Sequence, residues 1–247
     1  MNDVVYDRIG VGYTRGRRPD PRWQAALDEV LGEAGTIVNV GAGTGSYEPA
    51  GRYVLAVEPS ATMIAQRPSG AAPALCGHAE ELPIADGQFD VAMALVTLHH
   101  WQNWAKGLRE LQRVARRVVV LHFDPVVHSG FWLVTDYLPE LADVWRDVPR
   151  PQEVAAALGP ATSIRELPVP RDCVDGFLPA YWRRPEAYLD PGVRRSMSGL
   201  QLLDSDVLAR GVAALRSDLN DGTWQRRNAA LLDEDQLDVG WRLIFTE

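Results

Sequence analysis

Gly41, Gly43 and Gly45 stand at alternate positions directly after a short apolar run, and Glu58 ends the next such run. Glycine lets the chain turn sharply and lets a ligand come against the backbone. A carboxylate at the end of the following strand can accept hydrogen bonds from the two hydroxyls of a ribose, as in dinucleotide folds. Together with their neighbours Ala42 and Pro59, these residues place an adenosine-type ligand over the carboxyl ends of the strands. A second chemical feature is the pair His99-His100, after a later strand and at the same sheet edge. Histidine has an unperturbed pKa of about 6.5 and can serve as a general base. His122 and Asp124 are second candidates for that task.

The loop spacing narrows the ligand. A dinucleotide loop reads G-x-G-x-x-G, and its third glycine lets helix and strand pack closely. Here the pattern is G-x-G-x-G, with Ser46 where glycine or alanine would be needed. No lysine follows, which excludes a P-loop. No basic residue in the loop offsets a pyrophosphate, so a ligand without phosphates, S-adenosylmethionine, fits better. A glycine loop that is only a tight turn, an NAD(P)-dependent oxidoreductase, and a non-catalytic S-adenosylmethionine binder stay open as alternatives. No His/Asp/Glu cluster has metal-ligand spacing, so no metal is expected. Cys76 and Cys173 make no CxxC pair, and no G-x-S-x-G elbow occurs.

The elements that must carry these residues alternate. Apolar, β-branched runs at 36–40, 53–57, 89–95 and 118–123 suit strands of a parallel sheet covered on both faces. Helical patterns lie at 21–33, at 61–66 with Ser60 as N-cap, and at 103–116. Strands alternating with helices give a doubly wound, Rossmann-like α/β sheet. A weaker strand is expected at 164–169 and a final, antiparallel one at 240–246. The expected organisation is one domain over 1–247. Its core covers about 30–125, 150–170 and 236–247, and a helical cap is made from about 1–25, 126–149 and 172–235.

Composition bounds the rest. The chain has 247 residues, 46% hydrophobic and 23% charged, as in an ordinary globular protein. It has no apolar run long enough for a membrane span and no visible signal peptide, so a cytoplasmic protein with no membrane partner is expected. The net charge of −8 disfavours nucleic acid, which is bound by neutralising phosphates. A monomer or homodimer acting on a small molecule is expected.

Three segments carry a resemblance: VNVGAGTGSYE at 38–48, VLAVEPSATMI at 54–64, and GHAEELPIADGQFDVAMALVTLHHW at 77–101. They resemble the class I S-adenosylmethionine-dependent methyltransferases, in the branch of small-molecule enzymes of ubiquinone and menaquinone biosynthesis. The opening segment 6–22 is similar to the N-terminal helix of many such enzymes, and beyond residue 125 the likeness fades apart from the final strand. The resemblance implies methyl transfer to a small-molecule acceptor. Gly41 and Gly43 would line the methionine part of the cofactor, and Glu58 would bind the ribose. Ala79 and Glu80 would lie beside the adenine, and Leu95 under the cofactor. Tyr13 and Arg17 would close over it, Arg17 pairing with the carboxylate. His78 stands where the family often has an aspartate that accepts a bond from the adenine amino group. His100 is favoured over His99 as the base on the resemblance alone. The aromatics Phe131, Trp132, Tyr137, Phe177, Tyr181, Trp182 and Tyr188 either line an acceptor pocket or form the core between cap and sheet.

Overall fold

The computed structural model describes residues 16–247; Tyr13 and the start of the expected cap lie outside the described residues. Helix α1 (Pro21–Leu31) begins where the Asp20 carboxylate accepts from the Arg22 amide at 3.0 Å, with proline pre-set for the first turn. Strands β1 (Thr36–Val40) and β2 (Tyr53–Glu58) follow. Helix α2 (Ala61–Ala65) is capped by the Ser60 hydroxyl, and a short edge strand β3 (Ala74–Cys76) comes next. Strand β4 (Phe89–Leu95), helix α3 (Trp104–Val114) and strand β5 (Ala115–Phe123) complete the parallel part. The chain passes from α3 into β5 with no loop, so the strand starts before the apolar run and the helix stops short of residue 116.

The seven strands lie in the order β3-β2-β1-β4-β5-β9-β6, where β6 is Thr162–Glu166 and β9 is Trp241–Thr246. Strands β1 to β5 run parallel to one another, and β9 runs antiparallel to both β5 and β6. The expected strand at 164–169 divides: after β6 the chain breaks at Leu167-Pro168, and β7 (Val169–Pro170) pairs instead with β8 (Gln236–Leu237). Proline has no amide hydrogen for the ladder, which accounts for the break.

Alternation along each strand sorts the core onto two faces. Val38, Val40, Ala92, Ala94, Val118 and Val120 pack against Leu108, Leu111 and Val114 of α3. Ile37, Val91, Met93, Val119 and Leu121 face the other way, where α1 and the aromatic-rich segments cover them. Those segments are short helices: α4 (Pro125–Ser129), α5 (Trp132–Tyr137) and α6 (Leu141–Val144) before β6, and the 16-residue Ser205–Asn220 before β8. No helix among the described residues is long and apolar enough to cross a membrane.

Strand order turns at β1: β2 and β3 lie on one side of it, β4 and β5 on the other. The crevice at the carboxyl ends of β1 and β4 is the topological switch point, where open α/β sheets bind ligands.

Candidate active site

A cavity of about 1120 Å³, its open mouth included, occupies that crevice. Gly41, Ala42, Gly43, Glu58, Pro59, His78, Ala79, Glu80, Leu95, Arg17 and His100, the predicted residues within the described part of the chain, all line it.

Gly41 lies at φ 70°, and a Cβ there would fall 2.1 Å from Thr97 Oγ1. The loop thus passes against the end of β4 at a distance only glycine allows. The two carboxylate oxygens of Glu58 accept from the Gly43 amide at 2.8 Å and the Ser60 amide at 3.0 Å. Each oxygen has a second lone pair, so the acid can hold the loop and still accept from a ligand. The Gly43 carbonyl accepts from Arg67 at 3.1 Å, and Arg67 is paired with Glu48 at 2.7 Å.

Asn39 was not singled out from the sequence. It is the one polar side chain in the strand Thr36–Val40 that is fully buried; its amide nitrogen donates to Glu48 at 3.1 Å, while its Oδ1 has no partner. A buried acceptor without a donor is costly, and in a ligand cavity it asks for a ligand N–H or O–H. A polar residue inside an apolar strand was the available signal. The cavity's only cation, among the described residues, is Arg17, whose Nε and Nη2 lie 2.6 and 3.1 Å from the oxygens of Asp175. That lining suits a ligand with ribose hydroxyls and an amino group, and supplies little for a pyrophosphate.

Asp175 is 1% exposed and also accepts from the Tyr47 hydroxyl at 3.0 Å and the Gly176 amide at 2.8 Å. Burial, then the nearby Asp175 charge, raises the Tyr47 phenol above its usual range, so it stays a donor. Its oxygen also accepts from the Asp20 amide at 3.0 Å. Among the described residues, Tyr47 and Val96 are the non-glycine residues with positive φ, 63° and 57°. Both lie at the cavity, where such conformations persist because the surroundings over-determine them.

Val96 turns the chain out of β4 into a 3-10 turn, Leu98–His100, closed by the His100 amide donating to the Thr97 carbonyl at 2.8 Å. The His99 and His100 rings lie 3.8 Å apart. Burial pushes His100 down to about 4 and His99 well below the usual range. Both are therefore neutral near pH 7, and each can accept a proton.

A second cavity opens beside the first. Arg17, Val96 and His100 line both. Of the seven cap aromatics, only Phe177 lines it; Trp132, Trp182 and Tyr188 are buried core, with the Trp132 and Trp182 indole nitrogens donating to backbone carbonyls. The second cavity's other aromatic walls are Phe123, Trp145 and Trp241, which came from outside the expected set. His122 and Asp124 line neither cavity. His122 Nε2 is 2.8 Å from the Pro149 carbonyl, and Asp124 caps α4 by accepting from the Val126 amide at 2.9 Å.

Comparison with known proteins agrees with this geometry. Residues 38–123 match the family model of a methyltransferase domain. A demethylmenaquinone methyltransferase of Paenarthrobacter aurescens is 32% identical over 150 residues, which are 55% of this chain and 56% of that protein. The match thus spans little more than half the length of that curated relative. A solved structure of a methyltransferase from an antibiotic biosynthesis pathway of Anabaena variabilis is 32% identical. It covers 94% of this chain and 99% of its own, with a TM-score of 0.87. A S-adenosylmethionine-dependent methyltransferase of Thermotoga maritima, 22% identical with a TM-score of 0.54, shares the fold. With a relative 32% identical and matched along almost its whole length, and a methyltransferase-domain match over the segment that carries the glycine loop, the chain belongs to the class I S-adenosylmethionine-dependent methyltransferases.

Proposed function

We propose that the protein transfers a methyl group from S-adenosylmethionine to a small-molecule acceptor by in-line displacement. The observation that carries this is the pairing of two adjoining cavities that share Arg17, Val96 and His100 as lining. One is edged by Glu58, the glycine loop and the unpartnered Asn39 oxygen, and the other is walled by aromatic rings together with Arg17 and three histidines. When bound, the cofactor supplies an already activated methyl group. The chain's part is then to hold two molecules close and aligned, which by itself lowers a barrier by several kcal/mol, up to about 11.

In this reading Gly41, Ala42 and Gly43 give the cofactor's methionine part a backbone surface, and Asn39 Oδ1 takes a hydrogen bond from its amino group. Glu58 accepts from the ribose hydroxyls, with Pro59 beside it. His78, Ala79 and Glu80 border the adenine, and Leu95 lies beneath. Arg17 attracts the carboxylate while Asp175 holds it in place. His100, facing both cavities, receives the acceptor's proton when the acceptor is a hydroxyl. Relatives named for demethylmenaquinone support a small organic acceptor, and the acidic balance argues against nucleic acid. We place the enzyme in the cytoplasm, as a monomer or homodimer.

Isothermal titration with S-adenosylmethionine, S-adenosylhomocysteine and NADH tests the reading. Both adenosyl ligands should bind and NADH should not. Binding of NADH alone would overturn it.

A further inference from the structure

We infer that Glu48 and Arg67, which line neither cavity, are positioning residues for the cofactor's amino group: their ion pair fixes which way the Asn39 side-chain amide points. The inference rests on the methyltransferase reading above.

An asparagine amide has an acceptor at one end and donors at the other, and a half-turn of the amide exchanges them. At the buried Asn39, that exchange decides whether the cavity beside the glycine loop is offered an acceptor or a donor. Glu48 makes the choice. A carboxylate only accepts, and the Oε1 of Glu48 lies 3.1 Å from the Asn39 amide nitrogen. The nitrogen is thereby used up, and Oδ1 is left without a partner.

Arg67 in turn fixes Glu48. Its Nη2 lies 2.7 Å from both carboxylate oxygens and donates to the Ala72 carbonyl at 3.1 Å, while its Nη1 donates to the Gly43 carbonyl at 3.1 Å. The Arg67 and Glu48 side chains are only 6% and 10% exposed, so salt screens the pair little. The pair also explains the third glycine of the loop, which does not line the cavity. A Cβ on Gly45 would fall 3.0 Å from Glu48 Oε2 and 3.3 Å from each terminal nitrogen of Arg67, and its φ of 93° is one that glycine adopts freely. Gly45 makes room for the ion pair, where Gly41 makes room for the end of β4.

The same geometry accounts for asparagine at 39. An aspartate would set a second carboxylate against Glu48 with one guanidinium for both, and like charges in a buried place repel strongly. Asparagine keeps the acceptor for the ligand and gives Glu48 a donor.

Glu48→Gln tests the relay. The introduced amide keeps its oxygen for Arg67 and turns its NH2 toward position 39. Asn39 then gives its oxygen to that NH2 and presents its own NH2 to the cavity, where a ligand ammonium meets a donor in place of an acceptor. Titration calorimetry reads this with two ligands. S-adenosylhomocysteine carries the amino group; 5′-methylthioadenosine keeps adenine, ribose and thioether but lacks it. Glu48→Gln should lose at least about tenfold in affinity for S-adenosylhomocysteine, the scale of a hydrogen bond to a charged group, and less than about twofold for 5′-methylthioadenosine. In the double variant Asn39→Asp/Glu48→Gln the introduced NH2 donates to the introduced carboxylate and leaves an oxygen for the ligand, so most of the loss should be recovered. Equal weakening of both ligands, full S-adenosylhomocysteine affinity in Glu48→Gln, or a double variant no better than Glu48→Gln would each overturn the proposal. The flip is also read in the free protein. The Asn39 side-chain NH2 resonance, identified by its absence from Asn39→Asp, should exchange with water faster in Glu48→Gln, and unchanged exchange would overturn the proposal. A wild-type protein that binds neither adenosyl ligand would overturn the methyltransferase reading instead, and the exchange measurement still decides the relay.

Discussion

Glu58 does two jobs with one carboxylate. It fastens the glycine loop through the Gly43 amide and, in the proposed function, receives a ribose. Glu58→Ala should weaken S-adenosylhomocysteine binding by about 1.5–3 kcal/mol, the worth of hydrogen bonds to a charged group. Titration calorimetry reads this directly, and unchanged affinity would remove the ribose from this residue. His100 faces both cavities as a neutral imidazole, so its loss should affect transfer more than cofactor binding. For a hydroxyl acceptor, His100→Ala should lower kcat by about 100-fold or more, the usual scale of general-base catalysis, with S-adenosylhomocysteine affinity retained. A variant with full kcat would leave proximity as the whole of the catalysis. The sequence could name His99 and His100 from their position after a strand. It could not say which has an unused nitrogen, because that depends on rings and carbonyls brought from other segments.

At the scale of elements, three segments far apart in sequence meet at one buried carboxylate. The segment before α1 brings Arg17 and Asp20, the end of the glycine loop brings Tyr47, and the loop before the cap's 3-10 turn brings Asp175. The Tyr47 hydroxyl is the joint, since it accepts from one segment and donates to another. Tyr47→Phe leaves the buried Asp20 amide without its acceptor and Asp175 Oδ2 with Arg17 but without the Tyr47 hydroxyl, and should destabilise the fold by about 1–3 kcal/mol. Chemical denaturation reads the loss, and a stability within experimental error of wild type would mean that the joint carries no load. Packing between distant segments is also why the cap aromatics could not be sorted in advance. Trp132 and Trp182 are as aromatic as Phe123 and Trp241, but only the packing decides which ring faces a void.

For the whole molecule, histidine burial sets the acid limb of stability. His100, His122 and His128 are each pushed by burial to about 4 from 6.5. The unfolded chain binds protons on these residues between about pH 6.5 and 4, and the folded chain does not. Stability is therefore full above pH 6.5 and falls as pH drops toward 4. Asp20 acts lower: burial opposes its charge, but hydrogen bonds from Arg22 and Val174 hold it at about 2, so its contribution is lost only below its unfolded value of 3.8. The Tm should fall steadily from pH 7 to pH 5, before most carboxylates titrate. A Tm flat across that window would mean that these imidazoles accept protons in place.

What the sequence by itself determined is local. Near-continuous apolar runs, a glycine spacing and one acid at a strand end are properties of adjacent residues, and they sufficed for the sheet and the crevice at its carboxyl edge; His78, Ala79, Glu80 and Leu95 were named from the family resemblance, and Thr44, Tyr47 and Met63, which line the same cavity, were not named. The three-residue edge strand β3 was too short to show a period, and the division of 162–170 into two strands depended on which partner each half found. Only the tertiary structure decided the partnership of Arg17 with Asp175, the orphaned oxygen of Asn39, and the second cavity's walls from β5, the cap and β9. Each is a contact between residues distant along the chain, and distance along a chain carries no record of nearness in space until the core has packed.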